Sequence, residues 1–281
     1  MIKNKKNRNI PIIDTHHHLW DLSMMKHPWL CEKPLIKFRY GDYNKICRNF
    51  LVENYKSVSK NQNIVKTIHM EAEWNKSCPV EETIWLHKIF DKFKFPNAIV
   101  AQAWLNESDV DHLLKEHVQY PLVRSIRQKP NYDDKSKTIV TLNDKSFRKG
   151  YKFLSKYNLH YDLQISWEHL IDAANLAKDF PETTIILNHT GLPHDRSEYG
   201  ILKWKENLTK FSMYENTALK ISGIGMPNQK WNLENNGEII KAAIKIFGVD
   251  RCMFASNFPV DSLCATFDEI FETFKKAIKN L

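Results

Sequence analysis

Ile12-Ile13-Asp14-Thr15-His16-His17-His18-Leu19-Trp20 carries a short apolar run straight into three imidazoles. In an extended strand side chains alternate between two faces, so His16 and His18 project together while His17 takes the opposite side. Two imidazoles on one wall are half of a metal site. Borderline cations such as zinc favour neutral imidazole nitrogen, and a strand end at a pocket mouth leaves a coordination position open for water or substrate. A tag remnant or a surface cluster would show the same three letters, but tags are not embedded between an apolar strand and Leu19-Trp20-Asp21.

Outward from this run the pattern repeats. Strand-like segments at Ile10–His16, Ile64–Glu71, Ala98–Leu105 and Leu122–Arg127 are followed by Asp162–Trp167, Thr184–His189, Ala218–Gly223 and Cys252–Asn257. Between them the spacing predicts helices at Val80–Phe93, Val110–His117, Glu168–Asp179, Gly237–Phe247 and Ala265–Lys279. Strands alternating with helices imply a parallel sheet, and runs apolar on both faces, such as Thr184-Ile185-Ile186-Leu187, suit strands buried on both sides. Eight such units close into a (β/α)8 TIM barrel, an α/β fold. The chain's 281 residues are close to the roughly 250 that such a barrel uses. The alternative, an open doubly wound sheet, lacks a G-x-G-x-x-G after the first strand. The expected organisation is a basic tail over residues 1–9, a single barrel domain over 10–281, and a helical excursion across the mouth from Asp21 to Asn63.

A formal net charge of +8 raises the question of nucleic acid, but the lysines are scattered and mixed with acids instead of forming a stripe interleaved with aromatics. The charge reads as a solvated surface that also favours encounter with anionic small molecules. The basic leader meets Pro11 and Asp14 before any signal-peptide core, and no stretch approaches the roughly 20 apolar residues of a membrane span. Cys31, Cys47, Cys78, Cys252 and Cys264 are odd in number and form no C-x-x-C pair, as expected for reduced thiols in a soluble cytoplasmic protein. The sequence specifies no oligomeric state.

Catalytic groups of such barrels collect at the C-terminal strand ends. There the chain places His16 and His18, Glu71 and Glu73, Arg124 and Arg127, Gln164, His189, Ser222 and Asn257 in turn. Arg124 and Arg127 have opposite parity, so one points inward. Arg127, nearer the mouth, is the better carboxylate clamp, with a structural salt bridge as its alternative. His189 could equally be a satisfied core histidine. Trp20, Trp29, Trp74 and Trp167 either wall the pocket or pack the core.

These residues, taken in order, resemble a known family. The first-strand run with Pro28-Trp29-Leu30 is similar to the lactonase-like, amidohydrolase-related branch of the amidohydrolase superfamily. So are Leu122-Val123-Arg124-Ser125-Ile126-Arg127, Leu187-Asn188-His189-Thr190-Gly191-Leu192-Pro193, Lys220-Ile221-Ser222-Gly223 and Phe254-Ala255-Ser256-Asn257-Phe258-Pro259-Val260-Asp261. The resemblance implies a hydrolase that opens a sugar-acid or dicarboxylate lactone, or a related ester, with a divalent metal (zinc first) or without one. His16, His18 and His189 are then catalytic and metal-ligating. Arg124, Arg127, Glu71, Gln164 and Trp20 hold an anionic substrate. One position departs: Asn257 stands where the resemblance implies a catalytic aspartate, and an amide is no base. Asp261 could reach the pocket, another base could substitute, or the protein could bind ligand without turnover. A metal-dependent decarboxylase is the rival within enzymes.

Overall fold

The computed structural model describes residues 10–130, 132–133 and 138–279, so the basic tail over residues 1–9 lies outside the described residues. Eight strands form one sheet in chain order: β1 (Ile12–His17), β2 (Ile64–Met70), β3 (Ala98–Gln102), β4 (Val123–Arg127), β5 (His160–Leu163), β6 (Ile185–Leu187), β7 (Thr217–Ile221) and β8 (Cys252–Phe254). Every neighbouring pair is parallel. The sheet closes just past β8. The Asn257 N–H donates to the His16 carbonyl at 2.8 Å and the His18 N–H to the Phe258 carbonyl at 2.7 Å. The Thr15 hydroxyl adds a bond to the Phe254 carbonyl. The expected barrel is therefore the observed one.

Parallel neighbours need crossovers, and seven helices lie in them: α1 (Val52–Ser59), α2 (Val80–Phe93), α3 (Val110–His117), α4 (Lys145–Lys156), α5 (Leu170–Asp179), α6 (Glu198–Ser212) and α7 (Leu233–Phe247), with α8 (Phe267–Ala277) following the last strand. The predicted bounds of α2 and α3 hold. Local signals fix several starts: Asp144 caps α4, Ser197 caps α6, and Thr266 with Glu269 forms a reciprocal capping box at α8. Helix α1 falls within the helical excursion expected from Asp21 to Asn63, while α4 and α6 have no counterpart among the expected helices. Lysines crowd their exposed faces, yet Phe147, Tyr151 and Leu154 of α4 and Trp204, Leu208 and Phe211 of α6 are buried at helical spacing.

The excursion after β1 is helical as expected in α1 but irregular over much of its length before it. Before α1 it contains single turns at Leu22–Met24, Pro28–Cys31 and Asn44–Ile46, and residues 36–40 are irregular. Side-chain stacking shapes it instead: Trp29 lies against Trp20, Phe38 and Tyr43. Inside the barrel, Lys220 of β7 reaches across β6 to Asp162 of β5 at 2.6 Å, and the Asn188 amide donates to the same carboxylate oxygen. Both charges are buried, so each requires the other. No helix among the described residues is long and apolar enough to cross a membrane.

Candidate active site

A cavity of about 360 Å³ opens at the C-terminal ends of the strands, lined by His18, Arg127, Gln164, His189 and Asn257 from the barrel and by Trp29, Phe38 and Arg39 from the excursion. Larger hollows of about 600 Å³ beside α8 and about 890 Å³ beside α2 contain none of the strand-end imidazoles. The alternation expected in β1 decides the outcome. His16 packs between His18 and His189, with ring centroids 5.1 and 4.6 Å away, while His17 turns to Tyr55, Phe95 and His69. Histidines more than 170 positions apart in the chain thus share one wall, as the first strand and His189 suggested.

Hydrogen bonds orient two of these rings. His18 Nδ1 lies 2.9 Å from the Met70 carbonyl. A carbonyl only accepts, so this nitrogen carries the proton and Nε2 keeps its lone pair. His189 Nδ1 lies 3.0 Å from Ser222 Oγ, a hydroxyl able to donate. Both ring nitrogens of His16 are buried without a hydrogen-bond partner among the described residues. Burial foremost, with neighbouring positive groups, holds His16, His18 and His189 well below the ordinary imidazole pKa. All three are neutral at neutral pH.

The cations come from opposite sides of the mouth. Arg127 lies on the cavity wall but is bonded through Nε to Glu71 Oε1, through one Nη to the Glu71 carbonyl at 2.7 Å, and through the other to Gln164 Oε1 at 3.2 Å. Glu71 itself is buried behind it and accepts from the Glu73 N–H, so it anchors Arg127 and does not face substrate. Lys129 pairs with Glu73. Arg39 donates to the Gly223 carbonyl at 3.1 Å and has Asp261 at 3.7 Å. Sequence reasoning passed over Arg39 and Lys129. The one available signal was a basic residue set among aromatics, Phe38-Arg39-Tyr40.

Besides Glu71, two more expected substrate ligands are elsewhere. Arg124 is exposed at the start of β4 and donates to the Pro121 and Val123 carbonyls, because its parity opposes that of Arg127. Trp20 is fully buried behind His18, its indole N–H held by the Arg48 carbonyl at 2.7 Å, so it packs core and does not wall the cavity. Trp29 takes that place.

Asn257 faces the cavity, whereas Asp261 is wholly buried beside it. Asp261 Oδ1 accepts from Asn257 Nδ2 at 2.7 Å and from the Tyr40 hydroxyl at 2.9 Å, and Oδ2 accepts from the Gly223 N–H at 3.1 Å. Burial raises its pKa, against the pull of Arg39, Asn257, Tyr40 and Gly223. Asp261 is thus spent on structure, not aimed at water. Glu73, His189, Thr190 and Asn257 all adopt left-handed backbone at these strand ends. Such strain costs of order 1–3 kcal/mol per residue and collects where a site demands it.

Three imidazoles would suit a divalent cation, and the unpartnered nitrogens of His16 are its natural donors. Among the described residues, however, no three histidine, cysteine or carboxylate groups are disposed to hold one. Among these residues His18 and His189 each keep Nε2 free of a hydrogen bond while Nδ1 is held, but Glu71, Glu73 and Asp261 are all tied to cations. The expected three-histidine metal set is therefore not preassembled among the described residues.

Residues 13–278 match the sequence profile of the amidohydrolase family. The chain is 41% identical over 275 residues to uncharacterized protein y4mH of Sinorhizobium fredii, covering 95% of this chain and 91% of that one. It is 22% identical to an L-fucono-1,5-lactonase of Burkholderia multivorans over 92% of this chain and 85% of the relative. An amidohydrolase from Burkholderia multivorans with bound zinc has the same fold, at a TM-score of 0.79 and 20% identity, over 96% of this chain and 92% of that one. Barrel, strand-end imidazoles and profile agree over nearly the whole length, and the chain belongs to the amidohydrolase family.

Proposed function

We propose that this amidohydrolase opens the ring of an anionic lactone. The observation that carries the reading is the pairing of two oriented, neutral imidazoles, His18 and His189, with Arg39, Arg127 and Lys129 around one cavity. The 22% identical L-fucono-1,5-lactonase supports the same reaction class.

In this reading His18 Nε2, left with its lone pair by the Met70 bond, takes a proton as water attacks the lactone carbonyl carbon. His189, accepting at Nδ1 from Ser222, offers its Nε2–H to the developing oxyanion. Collapse of the tetrahedral intermediate breaks the ring C–O bond, and the proton on His18 passes to the departing alkoxide. Arg39 and Lys129 hold a substrate carboxylate, with Arg127 shaping the wall between them. The amide of Asn257 orients the water but accepts no proton.

A panel of sugar-acid and dicarboxylate lactones, assayed with the metal content of the purified protein measured in parallel, tests this. One or more should be opened, and His18→Ala should lower kcat/KM by about 10²–10⁴ with the fold retained. Undiminished turnover in that variant would refute the assignment, and release of carbon dioxide from an aromatic acid would point to a decarboxylase instead.

A further inference from the structure

We infer that Asp261 is a positioning residue that locks the Asn257 amide with its oxygen toward the cavity and pins the 36–40 segment over the mouth. The inference rests on the lactonase reading for its catalytic consequence but not for its geometry. Four groups address the buried carboxylate. The Gly223 N–H can only donate, and Arg39 is a cation, so Asp261 is called on to accept from every side. Asn257 can then meet it only through Nδ2, which is the contact observed at 2.7 Å. Oδ1 of Asn257, the remaining polar atom of a side chain that lines the cavity, is left for a ligand.

The same carboxylate binds the excursion. Tyr40, 221 residues away in the chain, donates to it, and the Arg39 guanidinium stacks over the Tyr40 ring at 4.4 Å while holding the Gly223 carbonyl. One anion therefore sets both the polarity of the strand-eight position and the placement of the substrate-facing arginine. An aspartate at 257 in this setting would meet another carboxylate; an asparagine meets it as a donor. The substrate class implied is one with a hydroxyl, or an attacking water, presented to an acceptor at this point, beside an anionic group held by Arg39.

Selective ¹⁵N labelling of asparagine reads the amide directly. In the unmodified protein the Asn257 side-chain pair, assigned by its disappearance in Asn257→Asp, should show one proton shifted downfield and exchanging at least ten-fold more slowly than exposed asparagine amides. In Asp261→Asn that signature should vanish. An Asn257 pair with ordinary shifts and exchange in the unmodified protein would overturn the inference, whether or not Asp261→Asn folds. If a lactone is opened, Asp261→Asn should lower kcat ten-fold or more and raise KM through loss of the Arg39 anchor. A variant with both constants unchanged would overturn the positioning role. If no lactone is opened, the lactonase reading fails while the spectrum still decides this one.

Discussion

Arg127 shows how one side chain's role depends on what lies behind it. From sequence it suits a carboxylate clamp or a structural cation equally, and in the fold it is bonded to Glu71 and Gln164 with both members of the ion pair buried. Removing one partner of such a pair strands the other charge, at about 3–5 kcal/mol. Arg127→Met should therefore shift the urea unfolding midpoint strongly, whereas Arg124→Ala, on the exposed side, should stay within about 0.5 kcal/mol. Equal midpoints for the two variants would contradict this division of roles. Asn257 carries a second residue-scale prediction. Asn257→Asp would set a carboxylate 2.7 Å from Asp261 Oδ1, where two negative charges cannot both persist. The variant should show no gain in lactone hydrolysis at neutral pH, and a ten-fold gain would show that position 257 is a missing base after all.

At the scale of elements, the strand ends act as a set of constrained corners. Gly223, just past β7, has φ +59°, and a Cβ there would come within 2.5 Å of His189 Nδ1 and 2.9 Å of an Arg39 nitrogen. Its lack of a side chain lets the segment after β7 approach the His189 imidazole just past β6. Gly223→Ala should displace both groups, lowering kcat/KM by more than ten-fold with little change in far-ultraviolet dichroism; activity within two-fold of the parent would refute the crowding argument. Remote from the site, the Thr266–Glu269 box begins α8, and Thr266→Ala should cost about 1 kcal/mol in unfolding experiments without altering KM.

For the whole molecule the governing feature is the number of histidines buried in the neutral form. His17 is pushed down to about 3, His27 and His117 to about 4, and His16, His18, His69 and His189 fall well below the ordinary value of 6.5. Burial is the first cause in each. A depressed folded pKa gives stability that is present above pH 6.5 and lost as pH falls toward the folded value, because the unfolded chain binds the protons. At pH 5 each fully shifted imidazole forfeits about 2 kcal/mol. Asp14, Glu82 and Asp261 work the other way: burial raises all three, Asp14 to about 6, so their ionisation penalises the fold as pH rises through the folded values. Three carboxyls against seven imidazoles leave the balance with histidine, and the urea midpoint should fall between pH 6.5 and 5. A flat profile over that range would show that these rings are protonated in the native state.

The sequence by itself determined the barrel and the histidine wall, because both rest on short-range regularities: apolar runs at strand length, two-residue alternation through His16 and His18, and a polar residue ending each run. It favoured Arg127 over Arg124 by parity but could not tell a carboxylate clamp from a structural ion pair there, place Trp20 behind His18 instead of on the cavity, or bring in Arg39 and Lys129. Those outcomes depend on contacts that arise only when the sheet closes and the excursion folds over its mouth. Asp261 is the clearest case, since its partners at 39, 40, 223 and 257 come from three separate parts of the chain. Local pattern dictates which way a side chain leaves its strand; what it meets there, and hence whether it anchors the wall or faces the ligand, is decided by tertiary closure alone.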